Sequence, residues 1–322
     1  MNLREQYEGR RVGVTGGAGF IGSHIVDALV ELGAETVVLD DLSTGTMDNL
    51  ADHGDRIAVH VGSILDADLL RSVLAGCSVV FHQAAMTSVP QSVNAPRETF
   101  EVNARGTMDV LEAARELDIP RVVFASSSSV YGDQPTSPKT ERMYPQPLSP
   151  YAASKLVGEH LLAAYASTYG IEGVSLRYFN IFGARQRPDS AYAAAIPRFL
   201  DAMLRNQPLT IFGDGTQSRD FTHIDNVVHA NLHAGAAPGP LRGEPLNIAC
   251  GQAQNLNDMV RFLGEQLDLE PDIRYEPHRV GDVLHSLADV SAASECIGYT
   301  PQVPMERGIE LTIPWYRAFV QG

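Results

Sequence analysis

Two side chains four positions apart could carry acid–base chemistry. Tyr151 and Lys155 lie in the segment Tyr151-Ala-Ala-Ser-Lys155, and this spacing places both on one face of a helix. A tyrosine is a poor base at neutral pH because its ordinary pKa is about 10. A neighbouring cation favours the phenolate, so the pair predicts a tyrosine that can take up a proton from a substrate.

The choice of lysine at position 155 supports a specific role for this cation. The chain contains 22 arginines but only two lysines, Lys139 and Lys155. Arginine is therefore the default cation wherever charge alone is needed. A lysine at position 155 indicates that a compact ammonium group is required there.

Composition limits the class of protein. The chain has 322 residues, of which 44% are hydrophobic and 20% charged, as is usual for a globular protein of one or two domains. A net charge of −15 argues against a nucleic-acid partner, which normally faces a basic surface. An anionic small ligand stays open, because a few converging arginines can bind a diphosphate inside an acidic protein.

Cysteine usage and hydropathy indicate the compartment. Cys77, Cys250 and Cys296 are widely separated and form no Cys-x-x-Cys pair, which favours reduced structural thiols over a disulfide framework or a metal site. Residues 1–11 are polar, and no later apolar run approaches the roughly 18 residues of a membrane span. We therefore expect a cytoplasmic protein with no membrane partner and no bound metal.

Short β-branched segments alternate with longer amphipathic segments in the first half of the chain. This rhythm is typical of βαβ units and predicts an α/β, Rossmann-like, doubly wound parallel sheet. Two long helices, predicted over 96–117 and 151–169, carry more apolar surface than a sheet face needs, so we expect a homodimer formed through a helix pair. The predicted strands are 11–15, 36–40, 57–62, 79–84, 122–126 and 174–178.

The pattern changes after residue 178. Loops rich in Gly, Pro and Asp separate short helices, which are predicted over 193–205, 224–234 and 256–267, and 246–249 reads as a strand returning to the sheet. We therefore expect a nucleotide-binding domain over 1–178 and about 222–250. A smaller mixed C-terminal domain, over 179–221 and 251–322, would bind the substrate.

A glycine-rich turn follows the first predicted strand and opens a helix. Gly16, Gly19 and Gly22 permit a tight turn, close approach of backbone amides to a pyrophosphate, and close helix packing. Asp40 ends the second predicted strand, where it can accept hydrogen bonds from ribose hydroxyls. With Asp41 beside it a 2′-phosphate would be repelled, so NAD is favoured over NADP.

These residues, together with further motifs, resemble the extended short-chain dehydrogenase/reductase family, specifically its nucleotide-sugar epimerases and dehydratases. The resemblance implies that Tyr151 is the general base, that Lys155 holds the nicotinamide ribose and lowers the pKa of Tyr151, and that Ser127 bonds the sugar oxygen being oxidised. The motifs that carry the resemblance are the glycine turn, 82–85, 126–132, 151–155, 177–180, 213–215, 218–221 and 279–282.

The same resemblance implies a set of cofactor contacts. Two positions stay open: Ser63 stands where the family usually has an aspartate that contacts the adenine, and His82 fits either a place near the cofactor phosphates or a satisfied buried histidine. The candidate cofactor-binding residues are Gly16, Gly19, Phe20, Ile21, Gly22, Asp40, Ser43, Gly45, Ser63, Ile64, Gln83, Ala84, Ala85, Tyr151, Lys155 and Tyr178.

Ser128 and Ser129 discriminate between the reactions of the family. The 4,6-dehydratases carry an Asp-Glu pair at these positions, and a serine cannot exchange a proton at neutral pH as those carboxyls do. The resemblance therefore favours a UDP-sugar 4-epimerase working through a 4-keto intermediate. The alternatives are a UDP-glucuronate or UDP-N-acetylglucosaminuronate 4-epimerase and another NAD-dependent nucleotide-sugar dehydratase or oxidoreductase.

The predicted substrate contacts lie in the second half of the chain. Arg219 and Arg279 would bind the diphosphate, although Arg219 could instead pair with Asp214 or Asp220. The resemblance implies that Ser286 occupies a gate beside the sugar C2 substituent, where a bulky tyrosine would restrict the site to hexoses, so a serine there favours UDP-GlcNAc and UDP-GalNAc. The candidate substrate-binding residues are Ser127, Asn180, Ala194, Ala195, Arg219, Arg279, Asp282 and Ser286; of these, Asn180 would bind through its amide, Asp282 would contact a ribose, and Ala194 and Ala195 would face the uracil.

Overall fold

Seven of the fourteen described strands build one central sheet. The computed structural model describes residues 1–188, 194–277 and 284–321. The strands are β1 (Arg11–Thr15), β2 (Glu35–Asp40), β3 (Ile57–Val61), β4 (Val79–His82), β5 (Arg121–Ser127), β6 (Glu172–Tyr178), β7 (Ile181–Phe182), β8 (Leu209–Phe212), β9 (Ser218–Asp220), β10 (Thr222–His223), β11 (Arg242–Ile248), β12 (Ala253–Asn255), β13 (Ile273–Glu276) and β14 (His285–Ser286).

Helices cover both faces of this sheet and build much of the C-terminal region. The helices are α1 (Leu3–Tyr7), α2 (Phe20–Glu31), α3 (Ala67–Leu74), α4 (Val89–Asn94), α5 (Pro96–Phe100), α6 (Gly106–Glu116), α7 (Pro150–Tyr169), α8 (Ala195–Leu204), α9 (Ile224–Ala236), α10 (Leu256–Leu267), α11 (Ser291–Ile297) and α12 (Met305–Gln321). Met47–Arg56 and Ser128–Tyr131 form 3₁₀ turns, and Glu101–Arg105 forms a π-helical turn.

The central sheet is parallel throughout, with the order β11-β6-β5-β4-β1-β2-β3. This is the doubly wound arrangement predicted from the sequence. The chain reverses direction across the sheet between β1 and β4, and ligands of such sheets bind in the crevice at the carboxyl ends of the strands there.

Successive residues of the strands enter two different cores. Val123 and Ala125 of β5 pack with α2 and α9 on one face, whereas Val122 and Phe124 pack with α3, α6 and α7 on the other. This alternation follows from the two-residue period of a strand. Burial on both faces explains why these strands read as nearly continuous apolar runs in the sequence.

A third core belongs to the C-terminal region. It contains side chains of α8, α10 and α12 together with strand residues such as Leu209 and Ile211. Three small sheets accompany it, ordered β10-β7, β12-β9-β14 and β13-β8. The predicted domain boundaries remain a prediction. Residues 251–322 were assigned to the substrate domain, but Ala293, Ile297 and Tyr299 pack into the first core.

The structure corrects one predicted element. The expected helix over 96–117 is divided by the π-helical turn between α5 and α6. The wider turn carries Asn103, which is 2% exposed, and the side-chain amide of Asn103 donates to Met86 O at 2.9 Å and to Ser154 Oγ at 3.0 Å. The turn thus ties α7 to the loop after β4.

None of the helices in the described ranges has the length and apolarity needed to cross a bilayer.

Candidate active site

Tyr151 and Lys155 lie at the start of α7. Pro150 occupies the first turn of this helix, and Ser149 Oγ accepts a hydrogen bond from Ala152 N at 3.1 Å, which caps its N-terminus. Lys155 follows one turn later and is only 3% exposed. The Lys155 ammonium donates to Ala125 O at 2.8 Å and lies 5.1 Å from the ring centre of Phe124, so it is held against the end of β5.

Burial has the largest effect on the pKa values of both Tyr151 and Lys155. It lowers the pKa of Lys155 to about 7. It raises the pKa of Tyr151, and a hydrogen bond from Ser127 lowers that pKa by a smaller amount. The lowering of the Tyr151 pKa by Lys155 stays a prediction: the net direction of the Tyr151 pKa is upward, because desolvation of the phenolate exceeds the stabilisation that Ser127 supplies.

Ser127 ends β5 and begins the 3₁₀ turn that follows. Ser127 Oγ accepts hydrogen bonds from Ser129 N at 3.2 Å and from Ser129 Oγ at 2.9 Å. Ser127 also lies near enough to Tyr151 to lower its pKa, and its predicted contact with the sugar oxygen stays a prediction. Ser128 and Ser129 lie in the same turn, where neither supplies a carboxyl for dehydration.

A buried ion pair supports this corner from behind. Glu159 lies on α7 one turn after Lys155, and its carboxylate accepts from Arg177 Nε at 2.9 Å and from an Arg177 terminal nitrogen at 2.7 Å. Ser126 Oγ also donates to Glu159, at 2.5 Å. Burial alone would lower the pKa of Arg177, but the bonds and charge of Glu159 raise it overall. The pair ties α7 to the ends of β5 and β6.

The glycine turn has the geometry that a pyrophosphate site needs. A Cβ on Gly16, whose φ is +69°, would lie 2.6 Å from Ala84 N, so the loops after β1 and β4 touch at the switch point. A Cβ on Gly22 would lie 2.1 Å from Gly16 O. Gly19 is the N-cap of α2 and offers no side-chain cap, which leaves the first amides of the helix, those of Phe20 and Ile21, for an anion.

Asp40 braces this turn as well as facing the crevice. Its carboxylate accepts hydrogen bonds from Ala18 N at 2.9 Å and from Leu42 N at 2.8 Å. Burial is the largest effect on its pKa, which is raised overall although these amide bonds lower it. Each carboxylate oxygen still has a second lone pair, so the site can accept ribose hydroxyls as well.

The remaining adenosine-side candidates surround the same turn. A Cβ on Gly45 would lie 2.8 Å from the backbone carbon of Ala18, so the loop that carries Ser43 packs on the glycine turn. Ser63 Oγ accepts from Leu65 N at 3.2 Å, and Ile64 is buried beside it. Their contacts to adenine remain a prediction.

The loop after β4 is held by two polar networks. His82 is 1% exposed; its Nδ1 bonds Thr15 Oγ1 at 2.7 Å and its Nε2 bonds Thr107 Oγ1 at 3.0 Å. Burial, with a smaller effect of Lys155, lowers the pKa of His82 to about 3, so the ring is neutral. Of the two alternatives for His82, the structure shows the satisfied buried histidine.

The second network joins Gln83 to Tyr178, both predicted cofactor contacts, through Asn231 of α9. Gln83 Nε2 donates to Asn231 Oδ1 at 3.1 Å, and the Tyr178 hydroxyl donates to Gln83 Oε1 at 3.2 Å. Burial raises the pKa of Tyr178, which keeps this hydroxyl protonated. The network fixes the loop that continues into Ala84 and Ala85.

On the substrate side, Arg219 and Ser286 are neighbours. The parallel pairing of β14 with β9 sets Ser286 opposite Arg219, and an Arg219 terminal nitrogen donates to Leu284 O at 3.1 Å. Asn180, at φ +39°, donates from its side chain to Asp220 O at 3.0 Å, so at least one of its amide protons serves the fold. Its predicted phosphate contact stays a prediction.

Asp220, one of the two carboxylates considered as a partner of Arg219, accepts hydrogen bonds from the backbone. The Asp220 carboxylate accepts from the amides of Cys250 at 2.9 Å, Gly251 at 3.0 Å and Ala288 at 3.2 Å. Burial nevertheless raises the pKa of Asp220 to about 6. The carboxylate thus holds together two backbone segments, 250–251 and the one at Ala288, a role that does not depend on Arg219.

The other substrate candidates are placed only in part. Ala194 is the N-cap of α8 and Ala195 its first residue, with no side-chain cap, so their backbone groups are at the helix start. Whether they face a uracil remains a prediction. Arg279 and Asp282 lie outside the described residues.

Sequence reasoning missed four buried asparagines, Asn103, Asn226, Asn231 and Asn247. Each is at most 2% exposed and makes side-chain hydrogen bonds that connect separate elements. Asn231 and Asn247 are polar residues inside otherwise apolar segments, and that signal could have identified them.

In the described ranges no three metal-ligating side chains converge.

The fold and this site together define a class of protein: a Rossmann-type NAD enzyme with a serine–tyrosine–lysine centre. The chain belongs to the NAD dependent epimerase/dehydratase family, whose profile matches residues 12–249. The predicted family, fold and NAD cofactor are thereby confirmed.

Individual relatives cover nearly the whole chain. A putative UDP-glucose 4-epimerase of Methanocaldococcus jannaschii is 38% identical over 306 residues, covering 94% of this chain and 97% of the relative. The solved UDP-N-acetylglucosamine 4-epimerase of Methanobrevibacter ruminantium M1, in complex with UDP-N-acetylmuramic acid, is 37% identical with a TM-score of 0.93, covering 97% and 99%. The solved UDP-glucuronic acid 4-epimerase of Bacillus cereus, with UDP-glucuronic acid and NAD, is 33% identical with a TM-score of 0.89, covering 96% and 99%.

Proposed function

We propose that this protein is an NAD-dependent UDP-sugar 4-epimerase that interconverts UDP-GlcNAc and UDP-GalNAc, and also accepts UDP-Glc and UDP-Gal. The observation that carries the choice of sugar is the small side chain of Ser286 opposite Arg219. A diphosphate bound by Arg219 would place the attached sugar beside Ser286. A serine leaves room there that a tyrosine would fill, and an N-acetyl group needs that room.

The chemistry follows from three side chains. Tyr151 takes the proton of the sugar C4 hydroxyl, and Ser127 donates a hydrogen bond to the same oxygen. Lys155 supplies positive charge at the base of the site. NAD supplies reversible hydride transfer at C4. Because Ser128 and Ser129 replace the carboxyl pair of the dehydratases, the 4-keto sugar has no acid and base for loss of its C6 hydroxyl. A 4-keto sugar that turned over within the site would expose its opposite face to the hydride donor, and Tyr151 would return the proton to O4, which would give the 4-epimer.

The relatives support the type of reaction, 4-epimerisation, more strongly than the identity of the sugar. Those described above are named for glucose, N-acetylglucosamine and glucuronic acid substrates. One of them holds a nucleotide sugar with an N-acetyl group, UDP-N-acetylmuramic acid. This relative supports an N-acetylated substrate for the present chain as well.

The test is kcat/KM for a panel of UDP-sugars, with products resolved by NMR. We expect the N-acetylated pair to react at least as well as the hexose pair, and Ser286→Tyr to reduce turnover of the N-acetylated pair selectively. A strong preference of the native enzyme for hexoses, or for UDP-glucuronate, would overturn the proposed substrate. Net accumulation of NADH would instead favour an oxidoreductase or decarboxylase.

We also propose a homodimer through α5, α6 and α7. These neighbouring helices leave Phe100 and Met108 each 39% exposed, and Val157 36% exposed. Apolar side chains at this exposure on adjacent helices fit a helix-pair interface. Light scattering on Phe100→Glu, compared with the native chain, tests it: the native protein should have the mass of two chains and the variant that of one.

A further inference from the structure

Two hydrogen bonds from one residue converge on Ser127 Oγ. Ser129 donates its backbone amide at 3.2 Å and its hydroxyl at 2.9 Å. A serine hydroxyl has two acceptor lone pairs and a single proton. Ser129 therefore fills both acceptor positions of Ser127, and the Ser127 proton must be donated elsewhere.

The neighbouring hydroxyl of Tyr151 provides the acceptor. Ser127 lies near enough to Tyr151 to lower the pKa of the tyrosine, although burial raises that pKa overall. A donor toward the phenolic oxygen stabilises the phenolate. Because both lone pairs of Ser127 are occupied by Ser129, the Ser127 proton is left for donation to Tyr151.

We propose that Ser129 is a positioning residue, which holds Ser127 as a hydrogen-bond donor, toward Tyr151 in the absence of substrate and toward the reacting sugar oxygen when substrate is bound. Without the Ser129 hydroxyl, Ser127 could rotate and accept a hydrogen bond from the neutral tyrosine, which would favour the protonated form. This inference deepens the proposed function and rests on it, because it gives Tyr151 the role of base.

Ser128 provides a matched control in the same turn. It is also partly buried, and within the described part of the chain its side chain makes no hydrogen bond. Ser128→Ala and Ser129→Ala remove the same atom from adjacent residues. Only the second removes a hydrogen bond to Ser127.

The other titratable groups at this corner are Lys155 on α7, His82 at the end of β4 and Tyr178 at the end of β6. Burial keeps His82 neutral with a pKa of about 3, and burial raises the pKa of Tyr178, so neither changes charge near neutral pH. Lys155, with a pKa lowered to about 7, does titrate there. Its contribution is common to the native enzyme and both variants, so the comparison between them cancels it.

The first experiment is the pH profile of epimerisation by the NAD-bound enzyme. For Ser129→Ala we expect kcat to fall about tenfold with KM nearly unchanged, and the acid limb of kcat/KM to move about one pH unit upward. Ser129→Thr keeps a hydroxyl and should restore the native limb, and Ser128→Ala should behave as native. An unmoved limb in Ser129→Ala, or an equal shift in Ser128→Ala, would overturn the proposal.

A second measurement does not depend on turnover. Ultraviolet difference titration of phenolate absorbance in NAD-bound protein, with Tyr151→Phe as the blank, reports the Tyr151 midpoint directly. We expect a higher midpoint in Ser129→Ala and a smaller rise in Ser129→Cys, whose thiol is a weaker donor; the cysteine variant decides the question if the alanine variant does not fold. If none of the UDP-sugars in the panel described above reacted, the epimerase function would be refuted. If the Tyr151 titration midpoint did not shift in these variants, the role of Ser129 would be refuted.

Discussion

Ser286 lies opposite Arg219 in the parallel pairing of β14 with β9. These two residues were predicted for different parts of the same ligand, the sugar and the diphosphate. They are far apart in the sequence, and backbone pairing brings them side by side. The predicted substrate site thus combines a cation and a small residue on neighbouring strands.

Arg219→Gln should weaken binding of free UDP about 10- to 100-fold, because the guanidinium can bond two phosphate oxygens at once and the amide cannot supply the charge. Ser286→Tyr should leave UDP affinity within about twofold, since UDP has no sugar beyond the diphosphate. Calorimetric titration with UDP measures both. Equal losses in the two variants would contradict the division of roles between the residues.

Lys155→Met should stabilise the protein by roughly 2–4 kcal/mol at pH 6 while abolishing turnover. Burial lowers the pKa of Lys155 to about 7 in the folded state, below the unfolded value, so folding a charged lysine costs free energy. This cost is complete below about pH 7 and disappears as pH rises toward the unfolded value of about 10. Urea unfolding of the cofactor-free protein from pH 6 to 10 should show the two stabilities converging as pH rises.

Glu159→Gln should destabilise the fold by about 3–5 kcal/mol, because it leaves the buried Arg177 guanidinium without its counter-charge. The side chains of this pair are 5% and 3% exposed. Glu310→Gln is the control: the Arg307–Glu310 pair, at 60% and 41% exposed, should contribute under about 1 kcal/mol. The denaturant midpoints of the two variants measure their losses of stability. Similar losses in Glu159→Gln and Glu310→Gln would show that burial of the ion pair is unimportant.

Tyr131→Phe should raise the KM for the UDP-sugar about three- to tenfold with a smaller change in kcat. The Tyr131 hydroxyl donates to Asn247 Oδ1 at 2.7 Å, and Asn247 Nδ2 donates to Lys139 O and Asp289 O, both at 3.0 Å. Asp289 follows Ser286 by three residues, so loss of this hydroxyl loosens the segment that carries Ser286.

Tyr7→Phe is the matched control for Tyr131→Phe. Tyr7 is also 1% exposed and donates to a backbone carbonyl, Leu232 O, at 2.7 Å, in a hydrophobic cluster different from that of Tyr131. Steady-state kinetics of both variants, with unfolding midpoints, separate the effects. An equal change in KM would mean that the Tyr131 effect is only a loss of stability.

The local features of the site could be predicted from the sequence. The glycine turn, the strand ends and the Tyr151–Lys155 spacing are written in consecutive residues, since helix and strand periods place such side chains without reference to the rest of the chain. The strands of the first half were predicted to within a few residues for the same reason. The helix over 96–117 was not, because its π-helical turn depends on Met86 and Ser154, which are distant in sequence.

What only the tertiary structure decided is the environment of these residues. The sequence identified Lys155 as unusual, but its lowered pKa comes from burial against β5. It named Ser127, but the geometry of the 3₁₀ turn made Ser129 its hydrogen-bond donor. It proposed Arg219 and Ser286 separately, and sheet register paired them. The physical reason is the same each time: residue type and spacing are local, whereas desolvation and hydrogen-bond partners are set by chain segments that meet only on folding.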